Sequence, residues 1–146
     1  MTETKTYVGV LVKCKDKFLL CKRNAQGSFP GMWSIPAGKV EGGEETIEAS
    51  KREFFEETAI NIDDKELKFV GLIPRHTRDG KKIKGTMYVY QLDTDNEVYP
   101  DLANAIDGEE HSECGYFTIN EIKTEMVGTF LQKLIEIISK KVDTIK

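Results

Sequence analysis

Three glutamates near the middle of the chain have the spacing of side chains that act together. Glu53, Glu56 and Glu57 follow one another at three and four residues, which places all three on one face of an α-helix. Like-charged neighbours on a helix repel by about 0.2–0.5 kcal/mol each, so the group needs a positive partner. Carboxylate oxygens suit a hard divalent cation such as Mg²⁺, which keeps positions open for water and phosphate oxygens. The alternative is a solvated acidic surface, the usual role of a charged run.

These glutamates belong to a predicted helix that follows a glycine-rich loop. The loop covers residues 38–43, and no glycine or proline interrupts residues 44–60, which favours a helix of about four turns. Its first residues are acidic, as suits the positive end of the helix dipole. Ile47, Phe54 and Phe55 are expected to point away from the glutamates and to pack the helix against a core.

The residues from Gly38 to Ile60 together resemble the Nudix box. The matching positions are Gly38, then after five residues Glu44, then after seven Arg52-Glu53-Phe54, and, each after one further residue, Glu56-Glu57 and Ala59-Ile60. Ala59 is the one departure, because the family has glycine there. A glycine would end the helix in the left-handed conformation, which alanine enters at a cost of about 1 kcal/mol. Alternatively, the helix cap moves to Asn61.

The resemblance implies both a fold and an activity. The expected fold is α/β, a Nudix-type α/β/α sandwich with a mixed β-sheet between helices, in a single domain over residues 1–146. The expected enzyme is a Nudix hydrolase acting on phosphorus-containing acid anhydrides, a pyrophosphohydrolase that depends on Mg²⁺, with Mn²⁺ as a substitute. It would cleave the diphosphate linkage of a nucleoside diphosphate linked to another moiety, by attack of metal-activated water. Nucleoside triphosphates, ADP-ribose, nucleotide sugars and dinucleoside polyphosphates all fit that description.

Two other functions are compatible with this fold. One is a Nudix-like domain that binds nucleotides for regulation without hydrolysis. Such domains often lose box carboxylates, whereas this chain keeps all of them. The other is isoprenyl diphosphate isomerisation, which needs a catalytic cysteine before the box, and none lies between Cys21 and Cys114.

Carried over residue by residue, the resemblance assigns roles to the box. The three glutamates of the helix are expected to be metal ligands and catalytic residues, and the Gly38 carbonyl oxygen is a further ligand. Arg52 and Glu44 are expected to form a structural pair at the catalytic site, with Arg52 also holding Glu53 or Glu56. The general base is one of these glutamates or Glu110, and the sequence does not decide between them.

Glu110 is the metal-site candidate outside the box. It lies in an acidic loop before an aromatic strand-like segment, and in several branches of the family a glutamate in this loop reaches the metal. Glu109 and Glu113 are its rivals.

The segment that precedes the box also resembles the family, in the residues Arg23, Gly31, Trp33 and Pro36. Arg23 and Trp33 are therefore candidates for substrate binding. Trp33 is the only tryptophan of the chain, and an anchor in the core or at its rim is the favoured interpretation for it.

Residues 74–84 are predicted to form a loop rich in basic groups, namely Arg75, His76, Arg78, Lys81, Lys82 and Lys84. A solvated hairpin tip would explain them. The functional interpretation is a rim that steers phosphates toward the carboxylate helix, because charge complementarity raises the capture of anionic substrates. Arg75, His76 and Arg78 are its substrate-binding candidates.

The remaining pattern predicts the elements that position these groups. Short apolar or alternating runs indicate strands at residues 7–13, 18–22, 32–35, 66–73 and 86–92. Thr118 and Glu121 fit a capping box, and a broad apolar stripe predicts a helix over residues 129–142 that packs against the sheet.

Bulk properties limit the surroundings and partners of the chain. A length of 146 residues with a net charge of −4 and a pI near 5.3 argues against binding to a nucleic-acid duplex. No apolar run reaches the roughly 18 residues that would cross a membrane, and no signal peptide is recognisable. We therefore expect a cytoplasmic protein that binds a small-molecule nucleotide derivative, with a homodimer left open. The cysteines, Cys14, Cys21 and Cys114, are expected to be reduced, with Cys14 and Cys21 as packing residues.

Overall fold

In a computed structural model, described for residues 5–24, 31–76, 81–123 and 126–145, the chain forms one mixed β-sheet between two α-helices. The strands are β1 (Lys5–Cys14), β2 (Lys17–Arg23), β3 (Trp33–Ser34), β4 (Ala37–Lys39), β5 (Leu67–His76), β6 (Ile83–Thr94) and β7 (His111–Thr118). The helices are α1 (Thr46–Thr58) and α2 (Thr129–Ile145). Short 3-10 turns cover Asp64–Glu66, Gly108–Glu110 and Ile119–Glu121, the last with the predicted capping box of Thr118 and Glu121.

The sheet has β1 at its centre. Its strand order is β3-β2-β1-β6-β5, with β4 paired to β1 and β7 paired to β2. β1 and β6 run parallel along ten residue pairs, and the other pairings are antiparallel. The predicted α/β architecture with a mixed sheet between helices is confirmed.

A separate apolar core lies on each face of the sheet. Successive side chains of a strand point to opposite faces, so β1 sends Val10 and Val12 toward Phe54 of α1. Leu11 points the other way, into the core that contains Leu134 of α2. Burial on both faces explains why the β1 sequence is an almost continuous apolar run.

Both helices differ slightly from their predicted limits. α1 begins and ends two residues inside the predicted 44–60, and α2 extends three residues beyond 142. Phe54 is fully buried but Phe55 is 37% exposed, so the prediction that both pack on the core is wrong for Phe55. Adjacent helix positions are separated by about 100° around the axis, so only one of two neighbours can face the sheet. Among the described residues, neither helix has the length and apolarity required to span a membrane.

The predicted loop at residues 74–84 is shorter than expected. β5 continues through Arg75 and His76, and β6 begins at Ile83. Pro74 interrupted the sequence pattern, yet it pairs with Thr86 inside β5. A proline is tolerated there because β5 is the last strand of the sheet, where one ladder position needs no N–H donor.

One of the cysteine predictions is wrong. Cys21 and Cys114 face each other on the paired strands β2 and β7, with Cα atoms 4.0 Å apart, and form a disulfide. They are 93 residues apart in sequence, and only the sheet topology brings them together. Cys14 is a free, buried thiol, as expected for a packing residue.

Candidate active site

The end of α1 that carries the glutamates lies against β4. A Cβ atom added to Gly38 would overlap the carboxyl carbon and both carboxyl oxygens of Glu53. Only glycine at position 38 therefore leaves room for this carboxyl beside the β4 backbone. β4 is held there by its pairing with β1, where Gly38 lies opposite Val8.

Arg52 binds three of the box glutamates at once. Its Nε and Nη2 donate to the two carboxylate oxygens of Glu44 at 2.8 and 3.0 Å. Its Nη1 donates to Glu53 at 3.0 Å and to Glu56 at 3.2 Å, and Nη2 also donates to the Lys39 carbonyl oxygen at 3.0 Å. The predicted structural pair of Arg52 and Glu44 is present, and Arg52 holds both Glu53 and Glu56 rather than one of them.

The same contacts shift the protonation of the group. The hydrogen bond from Arg52 lowers the pKa of Glu44, whereas Glu44 raises the pKa of Arg52. Glu53 behaves differently, because burial raises its pKa to about 7 against the opposing hydrogen bond from Arg52. The charges of Glu57 and Glu56 raise it further. Glu53 is thus a carboxyl that exchanges its proton near neutral pH when no cation is present.

Glu57 is the most buried carboxyl of the helix. Its side chain is fully buried, and Oε1 lies 2.7 Å from Nε2 of His111. Its Oε2 is also buried and has no partner in hydrogen-bond geometry. Burial raises the pKa of Glu57 well above its ordinary value, and the charge of Glu110 adds to this, while Arg23 and the nearby Ala37 backbone, which favour the ionised form of this carboxyl, oppose it. A buried carboxylate oxygen without a partner is costly unless a ligand satisfies it.

Glu110 joins Glu57 from the opposite side of the site. It ends the 3-10 turn that precedes β7, and its carbonyl oxygen accepts a hydrogen bond from the Asn24 backbone N–H at 2.9 Å. The turn is also tied to α1, because the Asp107 N–H donates to the Glu56 carbonyl oxygen at 2.7 Å. Side-chain ligand atoms of Glu57, Glu110 and His111 lie within 4.8 Å of one another. A cation could be held by this set.

His111 is the residue of this set that sequence reasoning missed. Burial lowers its pKa to about 4, and the positive charge of Arg23 contributes to that shift. The imidazole is therefore neutral at physiological pH. Its position next to Glu110, at the start of a strand, was the one feature of the sequence that indicated a place in the site. A single histidine without a known neighbour is weak evidence for such a role.

One of the two rivals of Glu110, Glu113, lies outside this set. Glu113 is exposed on β7, opposite Lys22. Glu109 is in the 3-10 turn, and its side chain is outside the described part of the structure. Between the two candidates whose side chains are described, Glu110 is grouped with a box glutamate and Glu113 is not.

Basic side chains gather around Tyr7, at the end of β1 that pairs with β4. The Arg75 guanidinium lies over the Tyr7 ring, 4.9 Å from its centroid, and the Lys84 ammonium lies 5.8 Å from it. Burial lowers the pKa of Arg75 and of Lys84, and the charge of Arg23 contributes to both shifts. The charge of Arg23 also opposes the rise that burial causes in the pKa of Glu57. Arg23 therefore interacts with the basic side chains around Tyr7 and with the acidic side chains of α1.

The other substrate-binding candidates are less directly connected to the carboxylates. Trp33 is partly buried and packs edge-to-face on Phe117, with ring centroids 5.1 Å apart, which supports the interpretation as an anchor at the rim of the core. His76 is half-buried at the end of β5. Arg78 lies outside the described residues.

The end of α1 follows the first of the two predicted alternatives. Ala59 adopts the left-handed conformation, with φ 64° and ψ 20°, and its N–H donates to the Phe55 carbonyl oxygen at 2.8 Å. The alternative cap at Asn61 is wrong. Alanine therefore replaces the glycine of the box at this position, and the helix still ends in the left-handed conformation.

A cavity of about 350 Å³ lies elsewhere. It is lined by the turn between β1 and β2 and by the segment after β6, and its walls are Cys14, Lys15, Asp16, Lys17, Asp95, Asn96 and Glu97. Gly38 pairs near the opposite end of β1, so this cavity contains none of the candidate residues.

Comparisons with known proteins identify the family of the chain. The NUDIX domain model matches residues 3–136. The chain is similar to the m7GpppN-mRNA hydrolase NUDT17 of Xenopus laevis, with 30% identity over 115 residues, covering 73% of the chain and 39% of that protein. It is also similar to the nucleoside triphosphatase NudI of Escherichia coli, with 44% identity over 54 residues, covering 36% of the chain and 38% of that protein. The match thus spans less than two-fifths of either relative.

A solved structure supports the fold independently. The MutT NUDIX hydrolase of Burkholderia pseudomallei superposes with a TM-score of 0.76 at 19% identity, over 94% of this chain and 99% of that one. The predicted family is confirmed, and these three relatives are named as hydrolases or as a triphosphatase. With a family model that covers most of its length, the chain belongs to the NUDIX domain family.

Proposed function

We propose that this chain is a divalent-cation-dependent pyrophosphohydrolase that acts on a nucleoside diphosphate linked to a further group. The observation that carries the proposal is the unsatisfied, buried Oε2 of Glu57 beside Glu110 and His111. Glu53 and Glu56 are held a helical turn or less away by Arg52. Membership of the family supports hydrolysis, whereas the cation and the substrate are proposed from the site.

The residues present fit a hard cation such as Mg²⁺. The available ligands are carboxylate oxygens, which Mg²⁺ and Mn²⁺ prefer. Glu57 has an oxygen without a partner in hydrogen-bond geometry. Burial and nearby carboxylates raise the pKa values of Glu53 and Glu57, and a bound cation would offset both effects by stabilising the ionised forms. We assign Glu53, Glu56, Glu57 and Glu110 as its ligands, with the Gly38 carbonyl oxygen in addition.

When bound, the cation would neutralise phosphate charge and lower the pKa of a water molecule. The residues of the chain orient the reactants around it. Arg52 fixes Glu53 and Glu56 through hydrogen bonds of 3.0 and 3.2 Å, and Glu44 fixes Arg52. Such fixed geometry matters because phosphoryl transfer depends mainly on positioning and electrostatics.

A carboxylate of the same group accepts the proton of the attacking water. The candidates are one of the three box glutamates and Glu110, and the carboxyl oxygen that serves as the base would be one that the cation does not bind. Positive charge for the substrate phosphates that the cation does not contact would come from three basic side chains near Tyr7, namely Arg23, Arg75 and Lys84. The charge of Arg23 lowers the pKa of both Arg75 and Lys84, so a bound anion would relieve the repulsion among the three.

Nucleotides with a chain of three phosphates are the substrates we favour. One relative is named for m7GpppN-mRNA and the other for nucleoside triphosphates, and both names describe such a chain. A basic group of three side chains next to the acidic group suits a substrate with phosphates on both sides of the cleaved bond.

A substrate screen with Mg²⁺ tests the proposal. Nucleoside triphosphates, a capped dinucleotide, ADP-ribose, a nucleotide sugar and a dinucleoside tetraphosphate are incubated with the protein, and the products are separated by chromatography. We expect cleavage of a diphosphate linkage that stops when the cation is chelated. Binding of these nucleotides without cleavage, in Mg²⁺ and in Mn²⁺, would support the regulatory alternative instead.

A further inference from the structure

His111 and Glu57 form a buried pair whose arrangement is not explained by packing alone. Both side chains are almost fully shielded from solvent, with 1% and 0% exposure, and Nε2 lies 2.7 Å from Oε1. Two residues from different elements, 54 positions apart in sequence, are thus held at hydrogen-bond distance in the interior. Burying two such groups is unfavourable unless close contacts compensate for the lost solvation.

The direction of the hydrogen bond follows from the chemistry of the partners. A cation requires Glu57 to be ionised, and an ionised carboxylate only accepts hydrogen bonds. Nε2 of His111 must then carry the hydrogen and donate it to Oε1. This bond fixes the rotation of the carboxylate plane and leaves Oε2 as the oxygen without a partner.

The backbone around His111 is suited to holding the ring in place. His111 is the first residue of β7 and pairs with Arg23 of β2, where the register of the two strands shifts. The preceding turn is tied to α1 through the Asp107 N–H and the Glu56 carbonyl oxygen at 2.7 Å. This hydrogen bond links the turn before His111 to the helix that carries Glu57.

We propose that His111 is a positioning residue for the cation site: its Nε2–H holds Oε1 of Glu57 and turns Oε2 toward the ion shared with Glu110. This inference rests on the cation site of the proposed function. A neutral donor behind a ligating carboxylate restricts its rotation, and the loss of such a support typically weakens metal affinity about 10–100-fold. The His111 Nδ1 is also buried without a hydrogen-bond partner, and our inference is that the ion is bound by the two carboxylates rather than by this nitrogen.

Mn²⁺ binding tests the inference without any measurement of activity. Electron paramagnetic resonance counts free Mn²⁺ during titration of the wild type, His111→Gln and His111→Met. Glutamine keeps an N–H donor, and methionine has a similar volume without one. We expect about 10-fold weaker Mn²⁺ binding for His111→Met, and binding within about threefold of the wild type for His111→Gln, because the donor is retained. Equal affinity of the wild type and His111→Met would overturn the proposal.

A control on the same strand separates positioning from general damage. The Tyr116 hydroxyl donates to the Val98 carbonyl oxygen at 2.6 Å and accepts from the Val98 N–H at 2.9 Å, so Tyr116→Phe removes two hydrogen bonds of β7 at residues other than Glu57. Its Mn²⁺ affinity should be unchanged even where its melting temperature falls. A loss of affinity in Tyr116→Phe equal to that in His111→Met would mean that loosening of β7 explains the effect, against our inference.

A double-mutant cycle then asks whether His111 acts through Glu57. In a Glu57→Gln background, His111→Met should cause little further loss of Mn²⁺ affinity, since residues that act as one unit are not additive. A full additional loss would contradict the positioning role. Electron spin-echo modulation gives an independent answer, because the strong nitrogen coupling of a directly bonded imidazole would make His111 a ligand and disprove our assignment.

The outcome for the wild type distinguishes this inference from the proposed function. If the wild-type protein binds no Mn²⁺, the cation site itself is wrong, and the inference falls with it. If it binds Mn²⁺ and His111→Met binds equally well, only the inference is wrong, and the proposed function stands.

Discussion

Glu56 and Glu57 are neighbours in the sequence, yet their charges are balanced in different ways. Glu56 is partly exposed and accepts a hydrogen bond from Arg52 at 3.2 Å, within a guanidinium network that also includes Glu44 and Glu53. Glu57 is fully buried, and its partner His111 is neutral because burial lowers its pKa to about 4. One glutamate therefore has a permanent counter-charge, whereas the hydrogen-bond partner of the other carries no charge.

Under the proposed function, the difference indicates which side of the helix the cation would occupy. A helix turns about 100° per residue, so one step along α1 moves the carboxyl from the Arg52 side to the interior. On the Arg52 side the chain supplies its own positive charge, which holds the carboxylates in fixed positions. On the Glu57 side, burial beside a neutral partner raises the pKa, and a divalent ion is the natural complement.

The largest effect expected from this comparison is that of Glu57→Gln. The substitution keeps the size of the side chain and its hydrogen bond to His111, but removes the ligating charge. We expect a loss of Mg²⁺-dependent turnover of about 100-fold or more, since cation stabilisation of the reaction is worth several kcal/mol. Steady-state product release with the best substrate of the screen measures it.

Glu48→Gln is the matched control for this substitution. Glu48 is on the same helix, half-exposed, and its contact with Lys51 is long, at 3.8 Å. Its turnover should equal that of the wild type. If Glu57→Gln retained full activity while remaining folded by circular dichroism, the distinction between the two sides of the helix would have no catalytic meaning.

Arg52→Lys is expected to have the next largest effect. Lysine keeps the positive charge but cannot present the planar fork that binds both oxygens of Glu44 and two further glutamates. We expect turnover about 10-fold lower and a free energy of unfolding lower by about 1–2 kcal/mol, from lost hydrogen bonds to charged groups. Urea unfolding and steady-state kinetics measure the two quantities.

Lys51→Gln serves as the comparison for Arg52→Lys. Lys51 precedes Arg52 in the helix and binds Asp64 at 2.5 Å outside the site, so its loss should change stability little and leave turnover unaltered. Equal turnover in Arg52→Lys and the wild type would show that the fixed network is not required for the chemistry.

Glu53 shares features of both sides of the helix, because it is hydrogen-bonded to Arg52 and its pKa is raised by burial. The pH dependence of stability that it causes is a third test. Its pKa is raised to about 7 by burial, so the folded protein binds a proton there more tightly than the unfolded chain does. Its contribution to stability is complete below the unfolded pKa of about 4.3 and is lost as pH rises through about 7. Compared with Glu53→Gln, the metal-free wild type should therefore lose about 1–3 kcal/mol between pH 5 and about 7.5, allowing for solvent screening.

Urea unfolding across this pH range measures the difference between the two proteins. His111 contributes in the opposite direction, because its lowered pKa makes stability rise with pH up to about 6.5, but this contribution is common to both curves and cancels. Millimolar Mg²⁺ should reduce the pH dependence of the wild type by holding Glu53 ionised. If the unfolding free energies of the two metal-free proteins change in parallel with pH, the pKa of Glu53 is not raised, and Glu53 resembles Glu56 rather than Glu57.

Local sequence patterns were sufficient for most of the fold. The apolar runs of β1 and β6 and the stripe of α2 predict their elements because burial alone determines those residues. The patterns failed where a neighbouring element decides the outcome. Pro74 ends a strand by propensity, yet it is tolerated at a sheet edge, and Phe55 differs from Phe54 only in which one faces the sheet.

The site could be predicted as far as it lies on one helix. Spacing was enough to bring Glu53, Glu56 and Arg52 together, since contacts within a helix follow from its geometry. His111 and the bond between Cys21 and Cys114 depend on strand pairings that span many residues, and no local pattern encodes them. The resemblance indicated Glu110 among three glutamates, but its approach to Glu57 required the packing of the turn before β7 against α1.

The smallest expected effect concerns the helix end rather than the carboxylates. Ala59 has a φ of 64°, where an L-residue with a Cβ is strained and glycine is not. Ala59→Gly should raise the free energy of unfolding by about 1 kcal/mol and leave turnover unchanged, because the Ala59 N–H already closes the helix on the Phe55 carbonyl oxygen at 2.8 Å. Urea unfolding and the Mg²⁺-dependent assay measure both. A large rise in turnover for Ala59→Gly would instead mean that the helix end controls the position of Glu56 and Glu57, and that their different surroundings depend on the backbone as much as on Arg52 and His111.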